Sequence, residues 1–162
     1  MSESVQRRAR YLVIEALYES ETSTHDAEGA FGRRLAEAAA ENPPVEPGRL
    51  AKTGERALRG VLERRAELDR QIAAAAPRYP VETMAVVDRN ILRLAIWELL
   101  SDDSPRVGAV VNEAVELAHR YGGESSPRFV NGVLRTVSRS IQAARGLPPE
   151  EAETPNLGEQ EN

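Results

Sequence analysis

The sequence predicts an all-α protein, a compact bundle of six to seven helices arranged as two packed helical subbundles. Alanine and leucine are abundant, and no segment shows the strict apolar–polar alternation of a half-buried strand. Apolar residues instead recur at helical spacing along most of the chain. At 162 residues with 41% hydrophobic content, the chain is long enough to bury a sizeable core.

The first half of the chain contains three predicted helices separated by turns. The first runs from about Ser4 to Ser20, because apolar residues recur on one helical face. A turn of small polar residues, Thr22–Asp26, precedes an alanine-rich second helix over Ala27–Glu41. The loop Asn42–Gly48 follows, since its three prolines and one glycine do not fit a helix interior. The third helix is predicted from about Arg49 to Ala76.

The second half begins after a break at Pro77–Pro80 and also contains three predicted helices. The fourth, from about Glu82 to Leu100, is apolar almost all round, which is typical of a central, buried helix. The fifth, from about Val107 to Tyr121, ends before two glycines that suit a helix C-terminus. The last helix is predicted from about Pro127 to Arg145.

The start of the last helix carries the most informative group of residues. Ser126 is predicted as its N-cap and Pro127 as its first residue, where the missing N–H has no helical partner anyway. Arg128 and Phe129 follow, and an aromatic ring beside a guanidinium can stack a base and hold a phosphate. The alternative is a phenylalanine at the core edge beside a solvated arginine face. These residues alone leave both interpretations open.

A second basic and aromatic group lies near the N-terminus. Four residues fall along one helical-wheel line, away from the main apolar face: Arg7, Tyr11, Ile14 and Tyr18. Arg10 lies nearby, and such a surface can grip a nucleic-acid backbone and stack bases. Arginines at the positive end of a helix dipole are slightly unfavourable, which favours a phosphate partner. A solvated first turn with tyrosines at the core rim explains the pattern equally well.

The net charge of −5 does not argue against a nucleic-acid partner, because the charge is unevenly distributed. Residues 147–162 contain five glutamates and no basic residue, and we predict that they form a disordered acidic tail. The preceding helical domain, residues 1–146, is neutral overall and has arginine clusters near its N-terminus and in its last two helices. Local patches of this kind set the attraction to phosphate.

Several function classes are disfavoured. The chain has no cysteine, its two histidines lie far apart, and no His, Asp or Glu group has metal-ligand spacing. No glycine-rich loop follows a strand, which argues against a dinucleotide or phosphate-binding motif. No apolar run reaches the length of a membrane span, and no export signal is visible. We therefore expect a cytoplasmic protein that is not an enzyme and has neither metal nor cofactor.

Four sequence blocks resemble the NusB family of bacterial transcription antitermination factors. They occur in the family's order: RRARYLVIEALYESE at Arg7–Glu21, VDRNILRLAIWEL at Val87–Leu99, VNEAVELAHRYG at Val111–Gly122 and FVNGVL at Phe129–Leu134. Together and in this order, the four blocks make the resemblance to the family specific. The resemblance covers most of residues 5–145 and is weak over Thr22–Arg78.

The resemblance implies binding of the single-stranded boxA element of ribosomal RNA leaders. The implied RNA contacts, which it brings to one surface, are Arg7, Arg8, Arg10, Tyr18, Arg93, Tyr121, Ser125, Arg128 and Phe129. Many family members carry an acidic residue at the position of Ser125, and more positive charge where Glu3 precedes the arginine run. We therefore expect RNA binding by this chain alone to be weak.

The resemblance also implies a protein partner, the small-subunit ribosomal protein NusE. Glu82 and Asp88 match acidic positions of that interface, although acids are favourable at a helix N-terminus in any case. The implied role is assembly into an elongating RNA polymerase complex, as a monomer or homodimer and away from membranes. Two alternatives stay open: a helical interaction module without RNA binding, and a domain like the one that precedes the catalytic domain of some ribosomal RNA methyltransferases, which are much longer chains.

Overall fold

Seven α-helices and one short 3-10 helix, without a strand, account for the regular structure of residues 4–44, 46–102 and 106–148, which the computed structural model describes. The prediction of an all-α fold is confirmed. The chain folds into two compact units, residues 1–64 and residues 65–162.

The first unit contains three helices that pack against one another: α1 (Val5–Thr22), α2 (Ala27–Glu41) and α3 (Pro47–Glu63). Phe31 of α2 is buried against Gly54 of α3, where a Cβ atom would lie 2.4 Å from the Phe31 Cζ. Ile14 is 1% exposed, so placing it away from the apolar face was wrong. The reason is that α2 and α3 both cover α1, which widens its buried face beyond a single stripe.

The second unit contains four helices: α4 (Arg65–Ala75), α5 (Val86–Ser101), α6 (Val107–Tyr121) and α7 (Ser126–Ala144). A 3-10 helix, Val81–Thr83, connects α4 to α5. α5 packs against α4, α6 and α7, and six of its apolar side chains are almost completely buried: Ile91, Leu92, Leu94, Ala95, Ile96 and Leu99. The prediction of a central, buried helix is confirmed here.

Two predicted helix boundaries differ from the structure by more than two residues. The third predicted helix is in fact α3 and α4, because the backbone leaves helical geometry at Arg64 (φ −104°, ψ 13°). No glycine or proline marks this break, so the helical spacing of apolar residues predicted one continuous helix. The fourth helix begins at Val86 instead of Glu82, since Met84 and Ala85 have extended backbone (ψ 152° and 135°).

The turn between α6 and α7 differs from the prediction in one position. Ser125 is the N-cap of α7, Ser126 is its first residue, and Pro127 therefore occupies the second position. The Ser126 hydroxyl is turned back to accept a hydrogen bond from the Gly123 N–H (3.0 Å), so it does not cap the helix. This shift leaves Arg128 and Phe129 in the first turn of α7, where the interpretation of the sequence placed them.

The C-terminal end of the described chain is tied to α7. Gly146 has a left-handed backbone (φ 67°), and the Leu147 N–H donates to the Gln142 carbonyl oxygen at 2.9 Å. The predicted disordered tail is residues 147–162, of which all but Leu147 and Pro148 lie outside the described residues. Among the helices described, none combines the length and apolar character needed to cross a bilayer.

Candidate nucleic-acid interface

A groove of about 510 Å³ lies on the second unit, beside the starts of α5 and α7. Its lining residues are Tyr79, Met84, Ala85, Asp88, Ser125, Arg128 and Phe129. Ser125, Arg128 and Phe129 are predicted RNA contacts, whereas Asp88 is a predicted contact with the protein partner. The structure therefore brings the two kinds of predicted contact to one groove.

The first turn of α7 supplies the basic and aromatic side of the groove. Arg128 is exposed and Phe129 is half-buried. The Phe129 N–H donates to the Ser125 carbonyl oxygen at 3.1 Å, which fixes the start of the helix. This turn contains no acidic residue, and the Ser125 side chain makes no capping hydrogen bond. The first turn of α7 therefore adds no negative charge of its own beside Arg128, which suits an approaching phosphate, and the one carboxylate that lines the groove is that of Asp88.

Tyr79 lines the same groove, although the sequence analysis did not single it out. The ring centroids of Tyr79 and Phe129 are 5.6 Å apart, and the ring planes are inclined by 75°. Such edge-to-face arrangements are favoured because the positive ring edge meets the negative ring face. In the sequence, Tyr79 stands between two prolines, a pattern that predicts a loop but no binding role.

Asp88 contributes a carboxylate oxygen that is unsatisfied among the described residues. Its Oδ1 atom is buried and accepts no hydrogen bond from any residue in the described ranges. An unsatisfied buried acceptor costs about 1–3 kcal/mol. The carboxylate is tolerated partly because it lies in the first turn of α5, near the positive end of that helix.

Glu82, the other predicted partner contact, lies elsewhere on the second unit. It is exposed and lines a depression of about 440 Å³ that is rich in arginine: Arg65, Arg70, Arg89 and Arg93. The Glu82 carbonyl oxygen accepts a hydrogen bond from the Arg89 Nη1 at 3.2 Å. Glu82 and Asp88 therefore line two different depressions.

Arg93 is buried and engaged with the protein itself. Its side chain is 4% exposed. Its Nε and Nη2 donate to the two carboxylate oxygens of Asp69 at 2.7 and 3.0 Å, and its Nη1 donates to the Asn90 Oδ1 at 3.1 Å. This bidentate pair joins α5 to α4. The predicted contact between Arg93 and RNA would require the pair to open, so the geometry favours a structural role.

Tyr121 lies at the C-terminal end of α6 and is half-buried. The guanidinium carbon of Arg120 lies 5.5 Å from the centroid of the Tyr121 ring, within the range of a cation–π interaction. Tyr121 is not one of the residues that line the groove of Phe129.

The predicted RNA contacts of the first unit lie on α1: Arg7, Arg8, Arg10 and Tyr18. Arg7 is exposed, Arg10 is half-buried and Tyr18 is 44% exposed. The Arg8 Nη2 donates to the carbonyl oxygens of Ala38 (3.3 Å) and Asn42 (2.9 Å). Since these carbonyl groups end α2, Arg8 supplies the positive charge that the last turn of this helix lacks.

An ionic cluster that the sequence analysis missed joins α1 to α2. The Glu19 carboxylate accepts hydrogen bonds from Arg33 and from the Arg34 Nη2 (3.1 Å), and lies 3.1 Å from the His25 Nδ1. The hydrogen bond from Arg33 is the main reason that the pKa of Glu19 lies below its ordinary value. In the part of the chain that is described, no group of three or more His, Cys, Asp or Glu residues could hold a metal ion.

Comparison with known proteins gives consistent matches. The model of the NusB family matches residues 7–139. A transcription antitermination protein NusB from Dehalococcoides mccartyi is 41% identical over 135 residues, covering 83% of this chain and 90% of that protein. The structure of T. maritima NusB is 31% identical, has a TM-score of 0.70, and covers 86% of this chain and 93% of its own. A crystal structure of antitermination factors NusB and NusE in complex with dsRNA also matches. The matching chain is 23% identical with a TM-score of 0.67, and the match covers 84% of this chain and 97% of that chain. This likeness shows a shared fold.

Proposed function

Because the chain belongs to the NusB family, we propose that it is a transcription antitermination factor that binds boxA-type single-stranded leader RNA of ribosomal RNA operons together with a NusE-type ribosomal protein. The resulting complex joins the elongating RNA polymerase. The mechanism is assembly and involves no catalysis, metal or cofactor. Transcription in bacteria takes place in the cytoplasm, and we place the protein there.

The observation that carries the proposal is the groove shared by Asp88, Ser125, Arg128 and Phe129. An exposed guanidinium and the open start of α7 provide positive charge for a backbone phosphate. The half-buried Phe129 ring provides a surface on which an unpaired base stacks, and the Ser125 hydroxyl can donate or accept a hydrogen bond. These are the elements by which proteins recognise single-stranded RNA.

The start of α1 supplies a second RNA contact in this proposal. Arg7 and Arg10 lie near the positive end of a helix that has no acidic residue in its first turn. A phosphate there would offset the unfavourable interaction between these arginines and the helix dipole. Tyr18, exposed on the same helix, would stack a base. Arg8 is held by the end of α2 and contributes charge more than a direct contact.

The acidic residues Asp88 and Glu82 would contact the ribosomal protein. Asp88 is half-buried and lines the groove, so a basic or amide group of the partner would donate to the accessible part of its carboxylate. Since Asp88 lines the same groove as Arg128 and Phe129, RNA and partner would lie side by side there. Each ligand then raises the effective concentration of the other, and two weak contacts become one stable assembly.

The test is fluorescence anisotropy of a labelled boxA-type RNA, titrated with the protein in the presence and absence of its NusE-type partner across a salt series. We expect tighter binding with the partner and weaker binding as salt rises. Phe129→Ala should weaken binding about 5- to 150-fold, the loss of one base–aromatic stack. Absence of sequence-selective binding in both conditions would instead identify a helical interaction module that does not bind RNA.

A matched pair of charge variants separates specific from general attraction. Arg128→Gln removes an exposed charge in the groove, and Arg139→Gln removes an exposed charge farther along the same helix. Arg128→Gln should reduce the slope of log K against log salt by about 0.7, the value for one phosphate of a single strand. Arg139→Gln should leave the slope unchanged. Equal effects of the two variants would contradict a phosphate contact at Arg128.

A further inference from the structure

Tyr79 combines high exposure with a fixed backbone. It is 58% exposed, more than any other large apolar residue in the described ranges. Its N–H donates to the Ala76 carbonyl oxygen at 3.0 Å, and the following Pro80 restricts its backbone to extended conformations. The ring is therefore displayed on a constrained turn. Single exposed aromatic residues are common, so exposure alone assigns no role.

The neighbourhood of Tyr79 provides the second observation. Its ring meets that of Phe129 at 75° with centroids 5.6 Å apart, so the two rings form a corner with faces in different directions. A planar group stacked on one ring would direct its own edge at the face of the other, the arrangement that aromatic pairs favour. The groove that both rings line has a volume of about 510 Å³, within the range of pockets that hold small organic groups.

The charge beside this corner indicates what kind of planar group it fits. Two charged residues line the groove: Arg128 is exposed, whereas Asp88 is half-buried, so the guanidinium is the charge more open to a ligand. A nucleotide joins a planar base to a phosphate, and so matches an aromatic corner beside a guanidinium. An aromatic side chain of a protein partner would use the rings but not the charge.

We propose that Tyr79 and Phe129 together hold one unpaired nucleobase of the bound RNA while Arg128 contacts an adjacent phosphate. This inference rests on the RNA binding proposed above and adds Tyr79 as a further binding residue. Because every base has a π-face, the corner accepts any base and contributes affinity more than sequence selectivity.

The experiment compares Tyr79→Ala and Tyr79→Phe by anisotropy of a labelled boxA-type RNA, in the presence of the ribosomal protein. Tyr79→Ala should bind about 5- to 150-fold more weakly, and Tyr79→Phe, which keeps the ring, should bind within about twofold of the wild type. An abasic scan, in which each nucleotide in turn loses its base, then locates the stacked position. At one position, removal of the base should weaken binding by the wild type and have little further effect on Tyr79→Ala. Exchange of one base for another there should change little.

The outcomes distinguish this inference from the proposed function. If the wild type binds boxA-type RNA but Tyr79→Ala binds equally well, the inference is overturned and the proposed function stands. If the wild type does not bind, both fail. If Tyr79→Ala weakens binding of the ribosomal protein without RNA, the corner holds a protein side chain and the inference is overturned.

Circular dichroism checks that each variant folds. Should Tyr79→Ala not fold, ultraviolet crosslinking of the wild type to 4-thiouridine-substituted RNA decides the matter. A crosslink that maps to Tyr79 or Phe129 supports the inference, and crosslinks confined to other residues overturn it.

Discussion

Replacing Asp69 by asparagine removes the carboxylate that neutralises the buried Arg93 guanidinium. The Arg93 side chain is 4% exposed and that of Asp69 is 29% exposed. Removing one partner of a fully buried ion pair costs about 3–5 kcal/mol, because the other charge is left without compensation. The new amide can still accept one hydrogen bond, and water reaches this side of the pair, so we expect Asp69→Asn to lower the free energy of unfolding by about 2–4 kcal/mol.

Urea denaturation followed by circular dichroism measures this loss. The matched control is Glu46→Gln, because the Arg49–Glu46 pair spans 3.4 Å with both side chains largely exposed (64% and 58%). Such surface pairs contribute about 0–1 kcal/mol. A loss for Asp69→Asn no larger than that of the control would refute the reasoning. Arg93 could then leave Asp69 at little cost, and its predicted contact with RNA would regain support.

Three further predictions concern the first unit. Gly54→Ala should lower the free energy of unfolding by about 1–3 kcal/mol, because the new Cβ would lie 2.4 Å from Phe31. The control Gly32→Ala should not lower it, because no atom lies within 4 Å of the new Cβ. Equal urea midpoints for the two variants would contradict this account. Arg8→Ala should cost about 1 kcal/mol in the same assay through the lost hydrogen bonds to the end of α2, whereas an unchanged midpoint would make Arg8 available for RNA. The pKa of the Glu19 carboxyl is lowered in the folded state, so its contribution to stability is present above its ordinary pKa of 4.5 and is lost as pH falls through the folded pKa. Melting temperatures should therefore fall less steeply with decreasing pH in Glu19→Gln than in the wild type. Parallel curves for the two proteins would argue against a stabilising role of the cluster.

Turn residues made some helix bounds predictable from sequence, although not the start of α5, which lies six residues beyond Pro80. The predicted bounds of α2 and α6 match the structure, since a polar turn and a proline-rich loop flank the former and two glycines follow the latter. The break between α3 and α4 carries no such residue and was missed. A single residue that leaves helical geometry does not change the apolar spacing, so local pattern contains no signal for it.

The candidate site was predictable only within one helix turn. Arg128 and Phe129 are neighbours in sequence, and their shared position at the start of α7 followed from local signals. The contact between Tyr79 and Phe129 is tertiary and was not visible. The same holds for Arg8 and Arg93, whose hydrogen-bond acceptors lie up to 34 residues away for Arg8 and 24 for Arg93. The sequence shows where arginines cluster, but it does not show which of them form hydrogen bonds within the protein.

The division of the chain at Arg64 gives the two units different optical reporters. Trp97, the only tryptophan, belongs to α5 in the second unit, whereas helices in both units contribute to far-ultraviolet ellipticity. Tryptophan emission therefore reports on the unit that contains α5. Asp69→Asn acts on that emission directly, and Gly54→Ala does so only if the units unfold as one cooperative block. Comparing the two signals in the two variants measures how strongly the folding of one unit depends on the other.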